Sequence, residues 1–127
     1  MRALWHLLNL CNMETMTIDA EGKTLGRVAS AAAKALLGKH SATFAKHVVA
    51  PIEVTILNAG KIRISGTKER TKTYVRYSGY PGGQKEERYS SLVSRRGHKE
   101  AIRKAVLGML PKNRLQARRI KLLTIKE

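Results

Sequence analysis

The chain has 127 residues, 43% of them apolar, and a formal net charge of +16; that describes one domain with a modest core, neither two domains nor a disordered basic tail. The charge is lopsided, with six Lys or Arg against four acids in residues 1–60 and nineteen against five in residues 61–127. A field of that size repels itself and points to a polyanionic partner. No run of about 20 apolar residues can span a bilayer and no basic amphipathic helix carries bulky anchors, so nucleic acid is favoured over acidic membrane.

Residues 1–16 differ in character from the rest of the chain and read as an unassigned N-terminal extension, with the domain proper at 17–127. Arg2 before an apolar run at 3–11 faintly suggests a signal peptide. His6 and Asn9 interrupt that run, however, and no small-residue cleavage site comes after it. Met13 and Met16 are alternative starts. Cys11 is the only cysteine, which excludes an internal disulfide or a Cys-rich zinc site and fits a reducing compartment. The histidines (His6, His40, His47, His98) show no metal-ligand spacing, so no metal is expected.

Thr17-Ile-Asp-Ala-Glu-Gly22 predicts a short strand running into a turn, which Asp19 holds. Thr24 then N-caps a helix ending at Gly38, with Leu25, Val28, Ala29, Ala32 and Leu36 as its buried stripe. Gly22-Lys-Thr24 lacks the earlier glycine that a phosphate loop needs, because Thr17 stands there, and a nucleotide site is rejected. Residues 38–47 form a basic connector. Ile52-Glu-Val-Thr-Ile-Leu-Asn58 is nearly all apolar, as in a strand covered on both faces. In 61–66 cations alternate with Ile62 and Ile64, which face in. Strand, helix, strand is the order of a βαβ unit with a right-handed crossover.

Tyr74-Val-Arg-Tyr-Ser-Gly-Tyr-Pro-Gly-Gly-Gln-Lys85 gathers tyrosines, glycines and cations. Tyr74, Arg76, Ser78 and Tyr80 share one side of an extended arm that turns at Tyr80-Pro81-Gly82-Gly83. Such a loop can bring backbone N–H groups to a phosphate while tyrosines stack on bases. Its plainer reading is an ordinary hairpin with surface tyrosines, Tyr80 the most exposed and at least one other half-buried. After Lys85 the pattern becomes helical. Residues 89–96 form a short helix ended by Gly97, residues 99–110 a second helix stopped by Pro111, and a third starts with Asn113 as N-cap. Leu122-Leu-Thr-Ile125 supplies a last strand.

Asp19-Ala-Glu-Gly-Lys-Thr-Leu-Gly-Arg-Val-Ala-Ser30, Tyr77-Ser-Gly-Tyr-Pro-Gly-Gly83 and Gly108-Met-Leu-Pro-Lys-Asn-Arg114 occur in that order. Together they resemble the bacterial-type large-subunit ribosomal proteins of the L-thirteen family over about residues 17–125. The resemblance implies a three-layer α/β/α single domain around a small, mainly parallel four-stranded sheet. It also implies a structural constituent of the large ribosomal subunit that binds large-subunit rRNA, acts early in assembly and touches neighbouring ribosomal proteins. The sequence departs from the family in three places: Glu14-Thr-Met-Thr17 replaces an aromatic run, Gln116 replaces a glycine after Leu115, and the carboxy-terminal tail is shorter.

The candidate RNA contacts are Arg27; Lys39, His40, Lys46 and His47 of the connector; Lys68, Lys72 and Arg76; the loop Tyr77, Ser78, Gly79, Tyr80, Pro81, Gly82 and Gly83, with Lys85; and Lys112, Asn113, Arg114, Arg118 and Arg119. The bland alternative for the cations is a solvated charged face. The concentration of charge in one half of the chain favours RNA for the cluster as a whole. No nucleophile–base pair appears, so no enzyme, cofactor or small-molecule substrate is expected. An RNA-binding translational regulator outside the ribosome is the alternative, disfavoured because no helix-turn-helix, RNP-type or zinc signature appears. The expected location is the cytoplasmic ribosome; the sequence does not separate a bacterial from an organellar one.

Overall fold

The computed structural model describes residues 14–42 and 44–127. The signal-like run, Cys11, His6 and the start at Met13 lie outside the described residues.

The alanine-rich segment forms helix α1, Leu25–Leu37. Thr24 takes an extended conformation before it without a side-chain capping bond, and Gly38 closes it in the left-handed region (φ 73°). Val28, Ala29, Ala32 and Leu36 are buried as the spacing requires. Their small side chains let the helix lie close to strand β1, Glu14–Asp19, and strand β2, Ile52–Leu57. β1 begins inside the stretch assigned to the N-terminal extension. The two strands pair in parallel from Glu14↔Ile52 to Asp19↔Leu57.

β2 carries a correction. Ile52, Val54 and Ile56 are buried, whereas Glu53 and Leu57 are exposed. The strand is covered on one face among the described residues, not on two. The sheet order explains this. Strand β5, Leu123–Ile125, pairs in parallel with the other edge of β2, giving the order β1-β2-β5. Both crossovers step the same way across the sheet, and right-handed crossovers then lay both connections on one face. Accordingly α1 packs against the long helix α3, Tyr89–Met109. The expected three-layer, four-stranded arrangement is therefore, among the described residues, a three-stranded parallel sheet with its helices on one side. A separate two-stranded antiparallel sheet stands beside it. The segment with Ile62 and Ile64 forms no strand. After a 3-10 turn at Ala59–Lys61 it meets the start of α1 in a single bridge, Thr24↔Arg63. Its facing is as predicted, with Ile62 buried and Arg63 exposed.

Ile18, Val54, Ile56, Ile102, Val106, Ile120 and Ile125 close the core with α1. Each such side chain contributes about 1.5–3 kcal/mol of apolar burial. α3 breaks at Gly97 (φ 74°, ψ 174°), so its two halves are the two helices the sequence suggested. The first half buries Tyr89 and Leu92 against Ala101 in a smaller cluster that Tyr74 and Ile64 border. A short helix α2, Lys68–Thr71, leads into strand β3, Thr73–Tyr77, which pairs with strand β4, Gln84–Arg88. β4 replaces part of the stretch expected to become helical after Lys85. The last helix, α4, is Gln116–Lys121. Asn113 is not its N-cap; Leu115 holds that position.

Candidate nucleic-acid interface

The β3–β4 hairpin stands off the core. Its register sets Arg76 directly opposite Lys85 and Tyr74 opposite Glu87. Two cations facing each other across a ladder destabilise it unless an anion intervenes. Val75 and Tyr77, on the other side, are 59% and 61% exposed, and Tyr80 at the tip is 76% exposed. Tyr74 alone of these tyrosines is half-buried. The tip is a Pro-Gly turn in which the Gly83 N–H donates to the Tyr80 carbonyl at 2.9 Å, and Gly82 holds φ 72° as the third turn position requires. A side chain on Gly83 would collide with Ser78 and the Tyr80 carbonyl. The Ser78 N–H closes the loop on the Gly83 carbonyl at 3.3 Å. The result is an aromatic tip, closed by two backbone hydrogen bonds, on a cationic stem, a form suited to stacking on unpaired bases beside phosphates.

At the base of the hairpin, the Lys72 and Lys104 ammoniums lie 5.4 and 4.5 Å from the centre of the Tyr74 ring, within cation–π reach. Burial pushes the Tyr74 and Tyr89 phenols up, so both stay neutral. Arg95 donates to Glu87 Oε1 from Nε at 3.1 Å and from Nη2 at 2.6 Å, fastening α3 to β4. That bond holds the Glu87 carboxyl below its ordinary range, with Lys104 and Arg96 adding to the effect.

The turn after Pro111 exposes Lys112, Asn113 and Arg114. It is not a helix start. The Asn113 N–H donates to the Pro111 carbonyl, and the Gln116 N–H to the Asn113 carbonyl. Gln116 donates from Nε2 to the Leu107 carbonyl at 2.8 Å. It thereby serves one of the last carbonyls of α3, which have no partner within the helix.

The connector residues Lys39, His40, Lys46 and His47 are exposed. His40 Nε2 lies 3.7 Å from Glu14 Oε2. This loop succeeds the C-terminal end of α1, whose 13 residues span about 20 Å and separate it from Arg27 in the first turn. Arg119 is not on the surface. It is 1% exposed, and its Nη2 donates to the Lys46 and Val48 carbonyls at 3.2 and 3.1 Å. Expected as an RNA contact, it is a buried clamp on the loop that carries Lys46 and His47; its neighbour Arg118 is exposed.

Three of the predicted groups converge on a residue that sequence reasoning passed over. Lys104 borders the cavity of Lys68 and Lys72, the cleft of Arg76 and Lys85, and the shallow cleft of Lys112, Asn113 and Arg114. The sequence marks it only as one of several cations in α3. Asp19 does hold its turn. Its Oδ1 accepts from Asn58 Nδ2 at 2.9 Å and the Glu21 N–H at 3.1 Å, and these bonds keep its carboxyl below the usual range. Among the described residues no cluster of three His, Cys, Asp or Glu could hold a metal, and no helix is long and apolar enough to cross a membrane.

Comparison with known proteins places the chain in a family. Residues 13–126 match the family model described as Ribosomal protein L13. The chain is 46% identical over 114 residues to the large ribosomal subunit protein uL13 of Pelotomaculum thermopropionicum, covering 90% of this chain and 78% of that protein. It is 51% identical over 108 residues to uL13 of Thermoanaerobacter sp. strain X514 (85% and 75% covered). With uL13 of Symbiobacterium thermophilum the figures are 50% over 98 residues (77% and 68% covered). A match that runs through β1, the hairpin and β5 alike leaves no element of the described fold outside it, and the chain belongs to the ribosomal protein L13 family.

Proposed function

We propose that this protein is a structural constituent of the large ribosomal subunit, not an enzyme, and that it is anchored on large-subunit rRNA and supports subunit assembly and translation within the ribosome. The observation that carries the reading is the hairpin, in which Arg76 and Lys85 face each other and Tyr77 and Tyr80 stand in solvent. An isolated two-stranded sheet is marginal in water, and like charges across it make it more so. A polyanion with stackable bases relieves both defects. The exposed cations of the connector (Lys39, Lys46) and of the turn after Pro111 (Lys112, Arg114) extend the contact, as do Arg27 and Arg118. Neighbouring ribosomal proteins are the remaining partners.

The test is retention on large ribosomal subunits sedimented through a moderate-salt wash, combined with rRNA binding across a salt series. Six phosphate contacts predict a log–log salt slope of roughly −4 to −5, and more contacts a steeper one. Release from subunits at low salt would overturn the ribosomal assignment and leave an extra-ribosomal RNA regulator. A slope near zero would overturn electrostatic RNA binding altogether.

A further inference from the structure

A cavity of about 390 Å³ opens between the first turn of α1, the segment containing Ser65 and Lys68, and the second half of α3. Lys68, Lys72 and Lys104 line it, and no carboxylate does. The neighbouring cleft under the hairpin is different, since Glu87 pairs there with Arg95 and Glu100 with Arg96. Among the described residues none of the three lysines has a carboxylate within ion-pair distance. Lys72 and Lys104 are only half exposed and share the Tyr74 ring, and the buried Tyr89 ring forms part of the wall. Cations gathered at a partly desolvated surface repel one another more strongly than in open water. A cation–π contact offsets that repulsion only in part. An anion with several acceptor oxygens would satisfy such a site.

We propose that this cavity seats a backbone phosphate of RNA, held by Lys68, Lys72 and Lys104, with Tyr74 as the positioning residue that keeps two of the ammoniums together. The proposal rests on the rRNA-binding reading above. It adds Lys104 as the contact that joins the hairpin to the turn after Pro111, because that side chain borders both clefts as well as the cavity.

The test uses the full chain and large-subunit rRNA transcribed in vitro, with filter binding over a salt series. Lys104→Gln and Lys72→Gln are each expected to weaken binding roughly three- to tenfold and to flatten the log–log slope by about 0.7–0.9. Lys104→Arg keeps a cation and is expected to bind nearly as wild type. Tyr74→Ala is expected to weaken binding, while Tyr74→Phe, which keeps the ring face, is not. Unchanged affinity and slope in Lys104→Gln and Lys72→Gln, with Arg76→Gln still impaired, would remove the cavity from the interface and leave the rRNA reading standing. Failure of the wild-type chain to bind rRNA would overturn both. Inorganic phosphate or ATP is the second arm. Saturable competition by either at concentrations that leave Arg76-dependent binding intact would make the cavity a small-phosphate site and overturn its assignment to RNA.

Discussion

Arg118 and Arg119 are adjacent in sequence and opposite in environment. Successive helical positions turn by about 100°, so one of the two points back at the domain. Arg119 does, and its Nη2 finds the carbonyls of Lys46 and Val48 while Nε and Nη1 find no acceptor. The loop it holds also has short-range bonds, such as Ser41 N–H to the Gly38 carbonyl and Val48 N–H to the Ala45 carbonyl, and the His40–Glu14 contact near its start. Arg119→Ala should therefore lose about 2–4 kcal/mol of unfolding free energy, through charge-assisted bonds lost, carbonyls left unpaired and a void opened. Arg119→Met refills most of the space without stranding two donors, and should lose less. Urea unfolding measures both; an alanine variant within about 0.5 kcal/mol of wild type would show that the clamp holds nothing. Nothing in Gln-Ala-Arg-Arg-Ile distinguishes the two arginines beforehand. The inward one is set by acceptors some seventy positions away in the chain, and no local pattern encodes that distance.

Elements with their own apolar pattern were legible, the strands β1, β2 and β5 included, whereas β4, which only its pairing makes a strand, was not. The stripe in α1 and the Gly97 and Pro111 stops were readable because spacing and backbone constraint are local. β4 has the sequence Gln-Lys-Glu-Glu-Arg, with no apolar residue to mark it. It is a strand because β3 offers it a ladder and because Arg95 fastens Glu87. The folded-state Glu87 carboxyl is more acidic than its unfolded counterpart, so its contribution is present above the ordinary carboxylate range near pH 4 and is lost as pH falls through and below it. Acid titration should accordingly loosen the hairpin before the core. Glu87→Gln should remove that acid sensitivity, read as the pH dependence of hydrogen exchange at β3 and β4 amides. Persistence of the sensitivity in the variant would assign it to other carboxyls, such as Asp19. At the other end of α3, Gln116 Nε2 serves the Leu107 carbonyl, and that bond orients the turn at 112–114. Gln116→Gly should lose about 1 kcal/mol, the worth of one hydrogen bond, with added freedom in the turn. Unchanged stability and unchanged amide exchange at 112–114 would show that the turn is held by its backbone alone.

At the scale of the whole molecule, the question is whether rRNA responds to total charge or to where the charge stands. The formal charge of +16 would drop to +14 in either Lys34→Glu or Arg114→Glu, so the two variants change the long-range field equally. Their local settings differ. Lys34 sits in the last turn of α1, where a cation complements the helix dipole, and its reversal should cost about 0.3–1 kcal/mol of stability. Arg114 is exposed in a turn, belongs to no helix, and has no ion pair among the described residues. Its reversal should leave stability within about 0.5 kcal/mol of wild type. Stability and function should therefore separate in opposite directions: Lys34→Glu melts earlier but enters large subunits, and Arg114→Glu melts normally but enters them poorly. For the second, the proposed phosphate contact would become a repulsion, and a loss of roughly tenfold or more in rRNA affinity is expected. Thermal melting of the purified variants and quantification of each in sedimented subunits check the two axes independently. Equal incorporation would mean that the field of the whole chain, and not the turn after Pro111, sets the affinity; the interface would then be diffuse and Lys104 would lose its place at the junction.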